Sequence, residues 1–407
     1  MPEPLHTAVL RLATAGIRKR VGRRAAEPTR RIPSRPLSVA AFTAIASLCL
    51  AACGTFSSDP DEDVYRATLR RTRAGIPHIV ADDPASLGFA TMYAMAEDNV
   101  CILADQYLTL GARRSRELGP GDGNLERDLF HQLLIDRGDA EEPLPEELAA
   151  LFRGAADGYN HYLQETGIES LPDPRCRGAD WVEPVTALEV RRVSRMDYAL
   201  AYLMPLLVRA SPQKEGEANR DLVTPEQLLA AVSRLRETPK EGGSNAVAIG
   251  DLRAERGGAL LLANPHMPWN EPFQRFYPLH QTLRGRFDAI GANLIGRPRV
   301  GFGHNHDVAW TSTVSTAKRM TFYRLTLVPG DPTRYLFDGT PREMTQEVVE
   351  VRIRNDSGEI ETRRHVFYST HFGAALVESD IFQWTPEYAF AVRMPDAGWR
   401  GERSAFD

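Results

Sequence analysis

The sequence predicts an α+β protein, because helical patterns dominate its first half and strand patterns its second half. Three stretches before residue 210 carry apolar residues at helical spacing. From Ser244 onward, short runs rich in β-branched residues replace them. A charged segment punctuated by Pro and Gly, residues 211–243, separates the two patterns and is typical of a connector.

The first half is expected to begin with a hairpin and to continue as helices. The segment VYRATLRRTRAGIPHIVAD alternates apolar and polar residues around a break at Gly75-Ile76-Pro77. Helical regions are predicted over residues 84–118 and 187–208. Between them, an amphipathic helix follows a Pro-Glu-Glu start, and its apolar positions are Leu148, Leu151, Phe152, Ala155, Tyr159, Tyr162 and Leu163.

The second half is expected to form a sheet that Ser244 opens. The predicted strands are SNAVAIG, GALLLANP, FDAIGANL, DVAWTSTVST, TFYRLTLV and the hairpin EVVEVRIR-NDSGE-IETRRHVFY. The chain therefore divides into a leader (1–53), a mostly helical region (54–210), a connector (211–243) and a sheet-rich region (244–407).

Composition places the chain among ordinary globular proteins. Of its 407 residues 43% are apolar, and the net charge is −5. That balance gives no strong electrostatic field, so it does not indicate a nucleic acid or another polyanion as partner.

The N-terminus has the features of an export leader. Residues 1–36 are rich in Arg and Lys, and the apolar run LSVAAFTAIASLCLAAC that follows is shorter than the roughly 20 residues of a membrane span. Leu50-Ala51-Ala52-Cys53-Gly54 resembles a bacterial lipobox, which would make Cys53 the lipid-bearing first residue. The alternative is an ordinary signal peptide. Either way we expect an exported, periplasmic protein, anchored to the membrane if Cys53 is lipidated.

Only Cys101 and Cys176 lie beyond the leader. In an oxidising compartment they are candidates for a single disulfide, with two free buried thiols as the alternative. No spacing of Cys and His indicates a metal site, and His304 and His306, on either side of Asn305, fit a surface loop better. His78 and His371 are interpreted as structural.

Gly242-Gly243-Ser244 lies where the connector meets the first strand and has two interpretations. In a linker it carries no chemistry. Alternatively, the Ser244 hydroxyl attacks the carbonyl of Gly243, a residue type that tolerates strained backbone. Cleavage would free the α-amine of Ser244, which would then act as base for the hydroxyl of the same residue.

Longer motifs decide between these interpretations. The segments SNAVAIG, LLANPHMPWNEPFQRFYPLH, FDAIGANLIGRPRVGFGHNHDVAWTSTVS and TFYRLTLVPGDPTRYLFDG resemble the penicillin acylase family of N-terminal-nucleophile hydrolases, especially its acyl-homoserine lactone and aculeacin acylase branch. AGIPHIVADDPASLGFATMYAMAEDN is similar to the family's α-chain. The resemblance implies a four-layer αββα sandwich and two chains that stay associated after removal of the connector.

The resemblance also implies roles for individual residues. Ser244 matches the nucleophile released by cleavage after Gly243, and His266 matches the histidine that orients the amine and the serine. Val314 matches a backbone oxyanion donor. Asn245 is given a supporting role. The implied pocket lining is Met267, Trp269 and Thr313, of which Met267 stands where close relatives carry an aromatic residue.

Some family features are not placed by the sequence. Calcium occurs in some relatives, but its ligands cannot be located here. The family's second oxyanion donor, an asparagine, lies beyond the position matching Asp407, so we expect a fragment or a truncated reading frame. The implied reaction is hydrolysis of N-acyl-homoserine lactones, with lipopeptides or penicillins as alternative substrates.

Two rival functions remain from the sequence. One is a lipid-anchored binding protein that keeps the scaffold without turnover. The other is a serine β-lactamase, suggested by the S-x-x-K string at residues 315–318. The S-D-N and K-T-G motifs that such enzymes need are absent from the sequence, which disfavours this second rival.

Overall fold

The computed structural model describes residues 6–12, 64–195, 198–212, 243–255, 257–267, 272–313, 320–371, 373 and 375–393. Within them the first half is mainly helical and the second half is mainly sheet, so the α+β prediction is confirmed. The helices are α1 (Pro84–Leu110), α2 (Arg114–Leu118), α3 (Asn124–Asp136), α4 (Glu146–Thr166), α5 (Ala187–Arg195) and α6 (Tyr198–Arg209).

The strands of the described residues precede the helices or follow the connector. They are β1 (His6–Leu12), β2 (Tyr65–Arg71), β3 (Pro77–Ala81), β4 (Gly243–Ile249), β5 (Leu260–His266), β6 (Phe276–Leu283), β7 (Phe287–Leu294), β8 (Phe302–His304), β9 (Ala309–Trp310), β10 (Thr321–Val328), β11 (Asp331–Phe337), β12 (Thr340–Glu343), β13 (Thr345–Arg354), β14 (Ile360–Ser369), β15 (Ala375–Val377) and β16 (Tyr388–Arg393). They form two large sheets and one separate hairpin.

The first sheet joins strands from both sides of the connector. Its order is β1-β2-β3-β6-β7-β8-β9, and β3 runs parallel to β6 with His78 opposite His280. The predicted hairpin around Gly75 is confirmed as β2 and β3. Strand β1 lies inside the predicted leader, whose removal stays a prediction. The connector itself, apart from residues 211, 212 and 243, lies outside the described residues.

The core of the first sheet lies under α1 and α4. Alternate residues of β3 and β6 face these helices, because side chains alternate across a strand. Asp83 caps α1 by accepting a 2.7 Å hydrogen bond from the Ser86 N–H, and Pro84 begins the helix. All seven apolar positions predicted for the amphipathic helix are buried in α4.

Glycines let α1 and α4 approach closely. A Cβ on Gly154 would lie 1.9 Å from the carbonyl oxygen of Ala85, and one on Gly88 would lie 2.1 Å from that of Leu151. Only hydrogen fits at these crossings, so the two helices are locked by backbone contact.

The second sheet, in the order β12-β11-β10-β16-β15-β14-β13, packs against α3 and α6. Each large sheet therefore has helices packed against it. The predicted β13–β14 hairpin is confirmed, with Asn355 and Gly358 in its turn.

One strand prediction was too long. Within the described part of the run DVAWTSTVST, residues 307–313, only Ala309–Trp310 form a strand. The neighbouring strand β8 is only three residues long, so the residues after Trp310 have no β8 backbone with which to form ladder hydrogen bonds.

The prediction of a disulfide between Cys101 and Cys176 is confirmed. It joins the middle of α1 to the loop before α5 and closes a separation of 75 residues. Among the described helices, none is long and apolar enough to cross a membrane.

Candidate active site

The predicted nucleophile lies at the base of the β4–β5 hairpin. Alternating small and apolar residues form β4, and the run LLLANPH pairs back onto it as β5 after a turn containing Gly257 and Gly258. The register sets Ser244 opposite Pro265 and Gly243 opposite His266. Four of the predicted site residues, Gly243, Ser244, Asn245 and His266, are thereby brought together.

Ser244 points its hydroxyl back at the preceding peptide. Its Oγ donates a 2.5 Å hydrogen bond to the carbonyl oxygen of Gly243. The nucleophile is thus held beside the bond that it is predicted to cleave.

His266 lies against the glycine rather than against the serine hydroxyl. A Cβ built on Gly243 would be 2.9 Å from Cε1 of the imidazole. Since neighbouring side chains in a strand alternate, Gly243, Asn245 and His266 share one face of the hairpin and the Ser244 side chain lies on the other. The contact between His266 and the reacting bond therefore runs through the backbone of Gly243.

Asn245 fixes the orientation of the imidazole. Its Nδ2 lies 3.3 Å from Nε2 of His266. An amide nitrogen only donates, so Nε2 is the acceptor in this contact. The supporting role expected of Asn245 thus has a physical basis, since it holds the imidazole in one orientation.

The face shared by Asn245 and His266 continues as an apolar strip. Val247 is 53% exposed, and Leu260 and Leu262 are 59% and 57% exposed. Together with Ile249 they occupy alternate positions of the two strands on that same face. An apolar group lying along the hairpin would therefore reach from the strip to the histidine.

The remaining predicted residues are only partly located. Met267 follows β5 and is half-buried, and Thr313 is exposed three residues after β9 ends. Trp269, Val314 and Cys53 lie outside the described residues, as does the S-x-x-K string at 315–318. The pocket lining and the oxyanion donor therefore stay predictions.

A second polar cluster, not foreseen as a whole, joins β3, β6 and β7. Nδ1 of His280 lies 2.7 Å from Nδ1 of His78, and its Nε2 lies 2.7 Å from the Asp288 carboxylate. Burial, reinforced by His280, lowers the pKa of His78. Burial alone would raise the pKa of Asp288, but hydrogen bonds from Thr282 and His280 outweigh it and lower that pKa. The structural role expected of His78 fits this cluster.

The other histidines singled out in the sequence serve local structure. His306 is 98% exposed, and the Asn305 side chain accepts hydrogen bonds from the Asp307 and Val308 N–H groups as in a tight turn. The imidazole of His371 is hydrogen-bonded to the Tyr335 hydroxyl. Within the described ranges, no group of three or more His, Cys, Asp or Glu side chains is placed to hold a metal ion.

Sequence comparison gives strong matches over most of the chain. Residues 66–404 match the family model described as penicillin amidase. Aculeacin-A acylase of Actinoplanes utahensis is 37% identical over 359 residues, which cover 84% of this chain and 44% of that protein. Acyl-homoserine lactone acylase PvdQ of Pseudomonas syringae pv. syringae strain B728a is 34% identical over 385 residues, or 91% of this chain and 49% of that protein.

The chain thus spans about half the length of the curated relatives it matches. Among solved structures, a thermostable penicillin G acylase from Alcaligenes faecalis in orthorhombic form aligns with 38% of this chain and 26% of its own at 22% identity, with a TM-score of 0.33.

Proposed function

This chain belongs to the penicillin amidase family, and from that premise we propose that Ser244 is the nucleophile of an amide hydrolase that removes the acyl group from N-acyl-homoserine lactones. One observation carries the proposal. The serine hydroxyl is held against the Gly243 carbonyl at the base of a hairpin that also holds Asn245 and His266 together.

The first step is cleavage of the chain. Oγ of Ser244 attacks the carbonyl carbon of Gly243, and the Gly243–Ser244 peptide bond breaks as an ester bond to Oγ forms. The hydroxyl proton passes to the departing nitrogen, which becomes the free amine of Ser244. Water then hydrolyses the ester, which leaves a carboxylate on Gly243 and a restored hydroxyl on Ser244. The products are two chains that remain paired through strands β3 and β6.

The second step is turnover. The free α-amine of Ser244, with an ordinary pKa of about 7.7–8.0, takes the proton of the hydroxyl as it attacks the substrate amide. The acyl group is transferred to Oγ, and the protonated amine gives its proton to the leaving nitrogen. Water attacks the acyl-enzyme to release the fatty acid. The predicted backbone N–H of Val314 would stabilise the tetrahedral oxyanion in both halves.

His266 and Asn245 hold this arrangement before and after cleavage. When Gly243 departs, the imidazole loses its neighbour but keeps the hydrogen bond to Asn245 on the same strand pair. Its Nε2 stays paired with Asn245, so the ring remains oriented for the new chain end.

The substrate is inferred from the relatives. The identity to PvdQ favours an acyl-homoserine lactone. The 37% identity to aculeacin-A acylase supports a second candidate, an acylated cyclic lipopeptide.

The proposal includes export and a lipid anchor on Cys53, supported by the Arg-rich leader and the Leu-Ala-Ala-Cys string. Metabolic labelling with a fatty acid would test the anchor. Label on wild type but not on Cys53→Ala supports it, and absence of label from both would leave an ordinary signal peptide.

The experiment that tests the function follows both steps at once. The gene is expressed in full, processing is followed by N-terminal sequencing, and a long-chain acyl-homoserine lactone is followed by mass spectrometry. A chain beginning Ser-Asn-Ala-Val and release of the lactone are expected from wild type and from Ser357→Ala, a change in the exposed β13–β14 turn. Ser244→Ala should lose both. Turnover that survives in Ser244→Ala contradicts the proposal, and a stable but inactive wild type favours the binding-protein rival.

A further inference from the structure

The loop between β7 and β8, residues 295–301, has its backbone held at several points by buried side chains. Gln281 of β6 is 0% exposed and makes the central contacts. Its Nε2 donates to the Pro298 carbonyl at 3.0 Å, and its Oε1 accepts from the Val300 N–H at 3.0 Å. Both sides of residue 299 are therefore fixed by one side chain, which is itself braced by a 2.8 Å hydrogen bond to Thr91 of α1.

Further contacts complete this clamp. Asn293 donates to the Arg299 carbonyl at 2.7 Å, and Gln106 of α1 donates to that of Ile295 at 3.1 Å. A Cβ on Gly301 would lie 2.6 Å from the Asn293 amide. Movement of the loop would break these hydrogen bonds, so each of the side chains opposes it.

Trp310 connects this loop to the strands next to the candidate active site. Its indole Nε1 donates a 3.0 Å hydrogen bond to the carbonyl oxygen of Gly301, which is the last residue of the loop. Trp310 is also the last residue of β9, which pairs with β8 and contacts β5, the strand that carries His266. Beyond it the chain leaves the sheet as Thr311–Thr313, directly before the predicted oxyanion donor Val314.

We propose that Gln281 and Trp310 are positioning residues for the proposed hydrolysis, because they set the direction of the Thr311–Thr313 backbone through the Gly301 carbonyl. This inference rests on the proposed function. An oxyanion donor is effective only when its N–H is aimed at the developing charge, and complete loss of one donor costs ~10²–10³ in rate. A donor that is present but points in the wrong direction should reduce the rate less than a missing donor does. We therefore expect kcat to fall about tenfold while KM is unchanged.

The matched pair of variants is Trp310→Phe and Trp384→Phe. Each substitution removes one indole N–H that donates to a backbone carbonyl, and each keeps an aromatic ring at the position. Trp384 donates to the Pro332 carbonyl at 3.1 Å in the second sheet, away from the hairpin. Gln281→Met, which keeps length and removes all three hydrogen bonds, is the second test variant.

Three measurements separate positioning from general destabilisation. Steady-state kinetics on the acyl-lactone should show the lower kcat in Trp310→Phe and Gln281→Met but not in Trp384→Phe. Binding of an alkylboronic acid, which mimics the tetrahedral state, should weaken in the first two while fatty-acid binding stays constant. Hydrogen exchange of the Thr311–Thr313 amides should accelerate in the same two variants.

Either of two results overturns the inference: exchange at Thr311–Thr313 that is unchanged in Trp310→Phe, or equal kcat in Trp310→Phe and Trp384→Phe. If wild type itself shows no turnover, the proposed function fails, and the exchange comparison alone decides whether Trp310 holds this segment.

Discussion

The imidazole of His266 lies opposite Gly243, on the side where a Cβ of that residue would be, 2.9 Å from Cε1 of the ring, and Gly243 is on the departing side of the predicted cleavage site. Position 243 therefore has two constraints. The carbonyl of Gly243 must be open to attack by the hydroxyl of Ser244. There must also be no side chain where the imidazole of His266 lies. Glycine meets both, since it has no Cβ and tolerates unusual backbone geometry.

Gly243→Ala should slow the processing of the precursor. The new Cβ would be 2.9 Å from Cε1 of His266, so the exposed ring must turn away and give up its contact with Asn245. Loss of one such hydrogen bond costs about 1 kcal/mol, or about fivefold in rate. Conversion to two chains would be followed by gel electrophoresis and mass spectrometry.

Gly250→Ala is the control for that prediction, because a Cβ there meets nothing within 4 Å and its φ is −71°. In a His266→Ala background, the added methyl at position 243 should cause no further slowing. The same slowing with or without the imidazole would show that the contact plays no part.

Acid should weaken the fold through His78. Its pKa is lowered by burial and by His280, so the unfolded chain binds more protons between the folded value and the ordinary 6.5. The contribution of His78 to stability is complete above about pH 6.5 and is lost as the pH falls through that window. Urea unfolding at pH 7.5, 6.5 and 5.5 should show a smaller acid loss in His78→Gln than in wild type.

The cluster around His78 explains why positive charge on this ring is unfavourable. Its Nδ1 lies 2.7 Å from Nδ1 of His280, so positive charges on both rings would repel each other. The exposed His306 differs from His78, because the neighbouring Asp307 raises the pKa of His306 instead of lowering it. His306→Gln should therefore leave the acid loss intact. If it reduced that loss as much as His78→Gln, the assignment would be wrong.

Removal of the Cys101–Cys176 disulfide should lower the free energy of unfolding by about 4.5 kcal/mol, the loop-entropy value for a closed loop of this size. The loop spans 75 residues. The double variant Cys101→Ala, Cys176→Ala would be compared with wild type by denaturant titration with and without reductant. Reductant should destabilise wild type alone, and a reductant effect on the double variant would contradict the assignment.

Gly154→Ala should destabilise the helical half by roughly 3 kcal/mol, at the upper end of overpacking effects. Its methyl would meet the backbone of Ala85, which cannot rotate away as a side chain could. Gly121→Ala is the control, since a Cβ there meets nothing within 4 Å. Equal thermal shifts in the two variants would mean that α1 and α4 are not locked at this crossing.

Local patterns in the sequence were enough for many elements of this fold. Helix α4 follows from the spacing of Leu148, Leu151 and Phe152, and the β13–β14 hairpin follows from alternation around NDSGE. Helix α3 carried the same kind of signal in Leu129 and Leu133 and was not predicted. Such elements are predictable because their periodicity reflects one buried face.

Pairings between distant segments could not be predicted in this way. The segments YPLH and GIPHI contain no sequence pattern that predicts parallel pairing of β3 with β6. The hydrogen bond between His78 and His280 was therefore not predicted. The position of His266 over Gly243 likewise depends on a register that only the folded hairpin fixes. Gln281 carried no motif at all, and its importance comes from the loop that it happens to face.

The parallel pair β3–β6 also constrains how the protein is made. Strand β3 leaves the ribosome with one side unpaired, and its partner is synthesised roughly 200 residues later. At 5–20 residues per second, the nascent chain carries this open edge for about 10–40 s. An exposed edge invites pairing with other chains. The yield of soluble protein should therefore depend on chaperones that shield the β2–β3 hairpin until the second half of the message has been translated.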